Sequence, residues 1–286
     1  MEVSLLSKLS KFASRILQTE RELYLRRKSN ESYVFLKYYS DKINWGDAIN
    51  KDIIEYVTGA KVIECGMGHR NHVLGIGSVL VAANSNSTVW GSGFISSSQR
   101  VNNAPRKICS VRGPLTRDIL LKSGFKCPTI YGDPAILMRN IYSPKQIIKT
   151  HKIGLIPHME HKSNQWVKTI CQDPRVKLIN IEQSGIHSFV DEIHSCDFIA
   201  SSSLHGLIAA DAYGIPNVRL DIMGMNDFKF RDYYLGVGVE HFETLLVEQN
   251  CRINVERIID CCSVKDIKFD EAALLDAFPL DLVFSS

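Results

Sequence analysis

From Tyr33 onward the chain alternates short apolar runs with amphipathic stretches, as strands buried on both faces alternate with helices. The runs at 33–39, 61–65, 87–94 and 107–113 read as strands, and the segment after Gly46 reads as a helix closed by Gly59. "PLTRDILLKSG" opens with a proline suited to a first helical turn and ends at Gly124. "PTIYGDPAILM" repeats strand, loop and helix, and a polar connection over 139–151 marks a boundary. The alternation then restarts, with strands at 152–158, 175–181, 197–201 and 217–221 and helices near 163–172, over 187–196 and after the serine run 201–203. Two successive βα series predict an α/β protein with two Rossmann-like domains facing a cleft. The expected division is an N-terminal segment over 1–32, a first domain over 33–148 and a second over 149–286 that carries C-terminal helices. Ligands of such sheets bind beyond the carboxyl ends of the strands, so the cleft is the expected site.

The first thirty residues differ in charge, with seven basic residues against three acidic ones. At helical period Leu5, Leu6, Leu9, Phe12, Ala13 and Ile16 share a face, with Lys8, Lys11 and Arg15 beside it. Two readings are open: a helix on an anionic membrane surface, through residues 1–28, or a helix packed on its own domain. Composition otherwise describes a globular protein, 45% hydrophobic and 23% charged, and a net charge of +3 is too weak to argue for nucleic acid. The eight cysteines lie mostly in apolar segments without metal-ligand spacing, so no metal site is expected. With no signal-peptide pattern they read as reduced thiols of a cytoplasmic protein.

Four stretches gather polar and glycine residues where a strand hands over to a helix. In "NWGDAIN" Gly46 permits a close turn, while Asp47 and Asn50 lie near a helix start, Asp47 serving to match the helix dipole or to bind ligand. In "VWGSGF" a strand enters Gly91, Ser92 and Gly93, either an ordinary turn or a close approach to ligand. In "SVRGPLTRDIL" Arg112 precedes a helix N-terminus and suits either a carboxylate or phosphate or a salt bridge. In "SSSLHG" the residues Ser201, Ser202 and Ser203 are expected to cap a helix and present hydroxyls, with His205 in its first turn. A histidine there is held neutral, which suits proton transfer. Asp133 of "YGDP" reads as a helix cap, and His158 follows a strand into the cleft. Lys229 and Arg231 of "FKFRDYY" suit an anion or a solvated helix face.

Taken in order, "NWGDAIN", "GIGSVL", "VWGSGF", "VRGPLTRDILLKSG", "YGDPAIL", "GLIPH", "SSSLHGLIAADAYGIP" and "FKFRDYY" resemble the polysaccharide pyruvyltransferase family, especially its bacterial ketal-pyruvyltransferase members. The resemblance spans residues 44–234. It implies the two-domain glycosyltransferase B architecture and transfer of pyruvyl from phosphoenolpyruvate to a hexose, without a further cofactor. The acceptor would be a cell-surface saccharide or its lipid-linked precursor, modified in the cytoplasm or at the inner face of the membrane. Carried over by motif, His205 and Asp47 would be catalytic. Arg112, the serines 201–203, His158, Lys229 and Arg231 would hold the donor, and Asn44, Gly46, Asn50, Ser92 and Asp133 the acceptor. Some members carry arginine immediately before the Leu-His pair where this chain has Ser203, so Lys229 or Arg231 is expected to supply that cation. The competing readings are a nucleotide-sugar glycosyltransferase, which would use the same cleft, and a non-catalytic scaffold of polysaccharide assembly.

Overall fold

The computed structural model describes residues 2–224, 226–248 and 253–285, with side chains from residue 10 onward. Strands β1 (Tyr33–Leu36), β2 (Lys61–Glu64), β3 (His72–Leu74), β4 (Ser87–Trp90) and β5 (Lys107–Ser110) form one parallel sheet in the order β2-β1-β3-β4-β5. A second parallel sheet contains β6 (His151–Ile156), β7 (Val176–Leu178), β8 (Cys196–Ser201), β9 (Asn217–Ile222) and β10 (Thr244–Val247) in the order β7-β6-β8-β9-β10. Both sheets therefore carry the doubly wound order 2-1-3-4-5. This repetition of topology has no counterpart in the residues, where no internal repeat is visible. β3 (HVL) and β10 (TLLV) have no counterpart among the strands expected from the sequence.

The helices are α1 (Glu2–Lys28), α2 (Trp45–Ala48), α3 (Asn50–Thr58), α4 (Pro114–Lys122), α5 (Met138–Ile141), α6 (Gln165–Ile170), α7 (Ile186–His194), α8 (Leu204–Ala212), α9 (Phe228–Gly236), α10 (Val255–Cys261) and α11 (Glu271–Asp276). Local chemistry sets their ends as the sequence indicates. Gly59 closes α3 at φ +66°, a left-handed conformation, and Pro114 opens α4. Loops and a 3-10 turn replace helices after β3 and β4. The stretch 128–131, expected as a strand, makes only a single bridge between Tyr131 and Val111.

One apolar core runs through both halves, joining Val34, Leu36 and Ile53 to Phe189, Leu204 and Ile208. Trp45 of α2 stacks on Phe189 of α7 with ring centroids 4.0 Å apart, and its indole N–H donates to Gly185 O at 2.9 Å. The chain's end returns to the first sheet, where Tyr33 and Phe284 exchange two backbone hydrogen bonds of 2.8 and 2.9 Å.

The described part of α1 packs beside β2 through Thr19 and Leu23, which at helical period continue the side of Phe12 and Ile16 expected to be apolar. Phe12 and Ala13 are exposed and Ile16 is half-buried; the side chains of Leu5, Leu6, Lys8 and Leu9 lie outside the described residues. The seven described cysteines are free thiols, five of them buried, and Cys251 lies outside the described residues. Among the described residues no helix is long and apolar enough to cross a membrane.

Candidate active site

In a 2-1-3-4-5 sheet the chain leaves in opposite directions after the first and third strands, which opens a crevice between them. Here the two crevices face each other. The loop after β1 supplies Tyr39 and Asn44, α2 supplies Asp47, and the loop after β3 supplies Ser78 and Val79. From the second sheet, β6 leads to His158, Met159 and Glu160, and β8 to Ser203, Leu204 and His205. With Ile95 and Lys229 these residues enclose a cavity of about 260 Å³.

Short-range bonds shape each wall. Asn44 caps α2 by accepting the Gly46 N–H at 3.1 Å, which turns Asp47 into the cavity. Asn50 is fully buried; its amide oxygen accepts the Ile76 N–H at 2.8 Å and its amide donates to Asp47 O at 3.2 Å. Ser92 donates to Gly77 O at 3.0 Å. Asn50 and Ser92 thus hold the loop after β3 and do not line the cavity. Asp133 caps the 3-10 turn Pro134–Leu137 through Oδ1 and the Ala135 N–H at 3.1 Å, as the sequence indicates. Its Oδ2 has no hydrogen-bond partner among the described residues.

The serine run departs from expectation. Ser203 is the N-cap residue of α8, but no serine side chain caps the helix. Ser201 ends β8, and its hydroxyl lies 2.9 Å from Ile156 O and accepts the Ser203 N–H at 3.0 Å. Ser202 accepts the His158 N–H at 2.9 Å and bonds His161 Nδ1 at 3.1 Å. Two hydroxyls therefore tie β6 to β8, leaving Ser203 to face the cavity. The reason is register: Ile156 pairs with Ser201, so the first serines still belong to the sheet.

Arg112 is fully buried and absent from the cavity wall. It reaches across the two halves to Asp232 of α9 at 3.1 Å, with further bonds to Ser78 Oγ at 2.8 Å and Phe94 O at 2.5 Å. Asp232 also accepts the Thr116 N–H at 2.8 Å and hydroxyl at 2.7 Å. The guanidinium touches the site through Ser78. Arg231, on the exposed side of α9, lines a separate open recess with Arg219, Asp227 and Glu240.

Electrostatics distinguish the remaining groups. Burial, with Lys229 and Arg112 nearby, pushes the His205 imidazole down to about 3, so it is neutral, and its Nε2 has no partner among the described residues. Burial pushes the Asp47 carboxyl up to about 7, with Asp133 adding to the rise, and burial takes Asp133 to about 6. Burial brings the Lys229 ammonium down to about 8 and His158 down to about 4. Among the described residues no carboxylate lies within ion-pair distance of Lys229. The cavity thus joins a cation that rests over the Phe230 ring without an ion-pair partner among the described residues, a neutral imidazole, a carboxyl that titrates near neutrality and the start of a nine-residue helix.

Tyr39, Ser78 and Glu160 line this cavity and were not anticipated. Ser78 lies inside "GIGSVL", in the loop that follows β3, and the signal for it is a single polar residue in a glycine-rich loop.

Residues 20–222 match the model of the family described as polysaccharide pyruvyl transferase. The chain is 30% identical over 239 residues to uncharacterized protein L143 of Acanthamoeba polyphaga mimivirus, covering 77% of this chain and 82% of that one. It is 29% identical over 177 residues to the succinoglycan biosynthesis protein ExoV of Rhizobium meliloti (strain 1021), covering 59% of this chain and 54% of that protein.

Proposed function

Because the chain belongs to the polysaccharide pyruvyl transferase family, and is thus a pyruvyltransferase enzyme, we propose that its cavity moves pyruvyl from phosphoenolpyruvate to a hexose. The acceptor belongs to a cell-surface polysaccharide or its lipid-linked precursor, and the reaction runs in the cytoplasm. The carrying observation is the pairing of Lys229 with the first turn of α8 and neutral His205 in one small cavity. Phosphoenolpyruvate presents a phosphate and a carboxylate, which call for a cation, helix N–H groups and hydroxyls. Lys229, Ser203 and Ser78 supply these. Lys229 stands in for the arginine absent at Ser203, while Arg112 works at one remove by holding Ser78.

The second half, 149–286, is the donor side and the first, 33–148, the acceptor side, in an arrangement of glycosyltransferase B type. A sugar hydroxyl approaches along Asn44 and Asp47, with Gly46, Asn50, Ser92 and Asp133 supporting that wall. A proton adds to the methylene carbon of the donor, giving a cationic centre at C2. The hydroxyl oxygen bonds C2 and loses its proton to Asp47, whose pKa near 7 suits a base at neutral pH. The C2–O bond to phosphate then breaks with the pair leaving on phosphate, helped by His205 Nε2 and Lys229. A second hydroxyl closes the ketal and releases the last proton. Donor and diol give ketal and inorganic phosphate, with atoms balanced.

A nucleotide sugar would be the donor of a glycosyltransferase with the same cleft. The cavity volume of about 260 Å³ lies just below the range of drug-sized sites and favours the smaller donor. Calorimetry with phosphoenolpyruvate and with nucleoside-diphosphate hexoses separates the two. Binding of phosphoenolpyruvate alone supports the proposal; binding of the nucleotide sugar alone refutes it.

A further inference from the structure

Helix α1 is held along one side. The Thr19 hydroxyl donates to Glu64 O at 2.7 Å, and Leu23 is buried with Tyr33, Phe35 and Ile63. The Glu20 carboxylate takes two bonds from Arg70, at 2.6 and 3.0 Å, and Lys11 and Arg15 reach Asp41 at 3.0 and 2.6 Å. These contacts fix which side of the helix faces solvent.

That side has a distinct composition. Leu17, Tyr24 and Leu25 are 69, 65 and 50% exposed, with Arg21 and Lys28 exposed beside them. At 100° per residue these five fall within an arc of roughly 100°. Between residues 10 and 28 no exposed position carries a carboxylate, because Glu20 and Glu22 both sit on the half-buried flank. Scattered surface leucines need no explanation, but three large apolar side chains on one arc, with Arg21 and Lys28 as its charges and Ser10 and Ser14 beside them, form the composition of an interfacial helix. A second copy fits less well, since the arc offers no acid to pair with Arg21 and Lys28 of a partner.

We propose that this outward arc of α1 docks the protein on an anionic bilayer surface, with the helix axis in the plane of the headgroups. The arc differs from the face the sequence pattern indicates, and its binding is independent of pyruvyl transfer. Vesicle flotation of the full chain tests it. The wild-type protein is expected to float with phosphatidylcholine vesicles containing phosphatidylglycerol, to remain behind with phosphatidylcholine alone, and to be released by high salt. The double variant Arg21→Gln/Lys28→Gln should bind about thirtyfold more weakly, at about fivefold per cation. Leu17→Ser/Tyr24→Ser should abolish flotation without changing the melting temperature. Lys11→Gln, on another side of the helix, should float as wild type. Failure of the wild type to float, or equal flotation of the Arg21/Lys28 variant, overturns the proposal. So does a dimer in light scattering that Leu17→Ser/Tyr24→Ser dissolves, which would assign the arc to a second copy.

Discussion

The imidazole of His205, in the first turn of α8, fills the space beside Gly46 of α2 that any side chain at residue 46 would need. Glycine is thus required there by close approach across the two halves, not by backbone angle. Gly46→Ala should displace the ring and cut kcat/KM for transfer about 100-fold, the scale of a 1 Å misplacement, with a stability loss of about 1–3 kcal/mol from overpacking. Steady-state kinetics beside a thermal melt check both numbers; unchanged kinetics would separate His205 from the chemistry.

Lys229 and Arg231 lie two residues apart on α9 and face different spaces. Lys229→Ala should raise KM for phosphoenolpyruvate roughly 10- to 100-fold, the worth of a hydrogen bond to a charged group, and Arg231→Ala should leave it within about twofold. Since the Lys229 ammonium titrates near 8, wild-type KM should climb above that pH. Equal effects of the two substitutions would count against the assignment of the cavity.

Asp47 carries a pH signature. If it accepts the acceptor's proton, kcat/KM rises with pH through about 7, and Asp133→Asn should move that limb to lower pH by removing a neighbouring negative charge. Stability runs the other way. The folded carboxyl at about 7 against an ordinary 3.8 keeps a proton that the unfolded chain has already lost, so stability falls as pH rises between about 4 and 7. Asp47→Asn should flatten that fall and melt higher than wild type at pH 8, by a few kcal/mol at most, while losing activity. Melting curves from pH 5 to about 8 decide it.

Asp232 binds Arg112 and Thr116 inside the molecule. Asp232→Ala leaves a buried guanidinium without its counter-charge and should destabilise the fold by about 3–5 kcal/mol. Denaturant unfolding measures this, and a loss below about 1 kcal/mol would mean that the pair contributes little to joining the halves.

Much of this architecture is legible in the residues because strands buried on both faces leave unbroken apolar runs, as at Tyr33–Leu36 and over 153–156. Gly59, Pro114 and Asp133 announce their turns through local chemistry alone. What stays hidden depends on distance along the chain. Arg112 looks like an anion clamp until Asp232, 120 residues later, is seen to engage it. The serines look like caps until the β6–β8 register shows two of them inside the sheet connection. Periodicity does mark the packed side of α1, where Leu23 falls between Phe12 and Ile16, but not its partner, which Thr19 finds in Glu64, 45 residues away.

The most direct measurement incubates the protein with phosphoenolpyruvate and a panel of hexosides, reading inorganic phosphate and product mass together, for wild type and His205→Ala. The wild type should release one phosphate per pyruvate ketal formed, and folded His205→Ala should do neither. Phosphate without ketal, ketal formation at the wild-type rate by His205→Ala, or hexose transfer from a nucleotide sugar instead would contradict a cavity built for pyruvyl transfer.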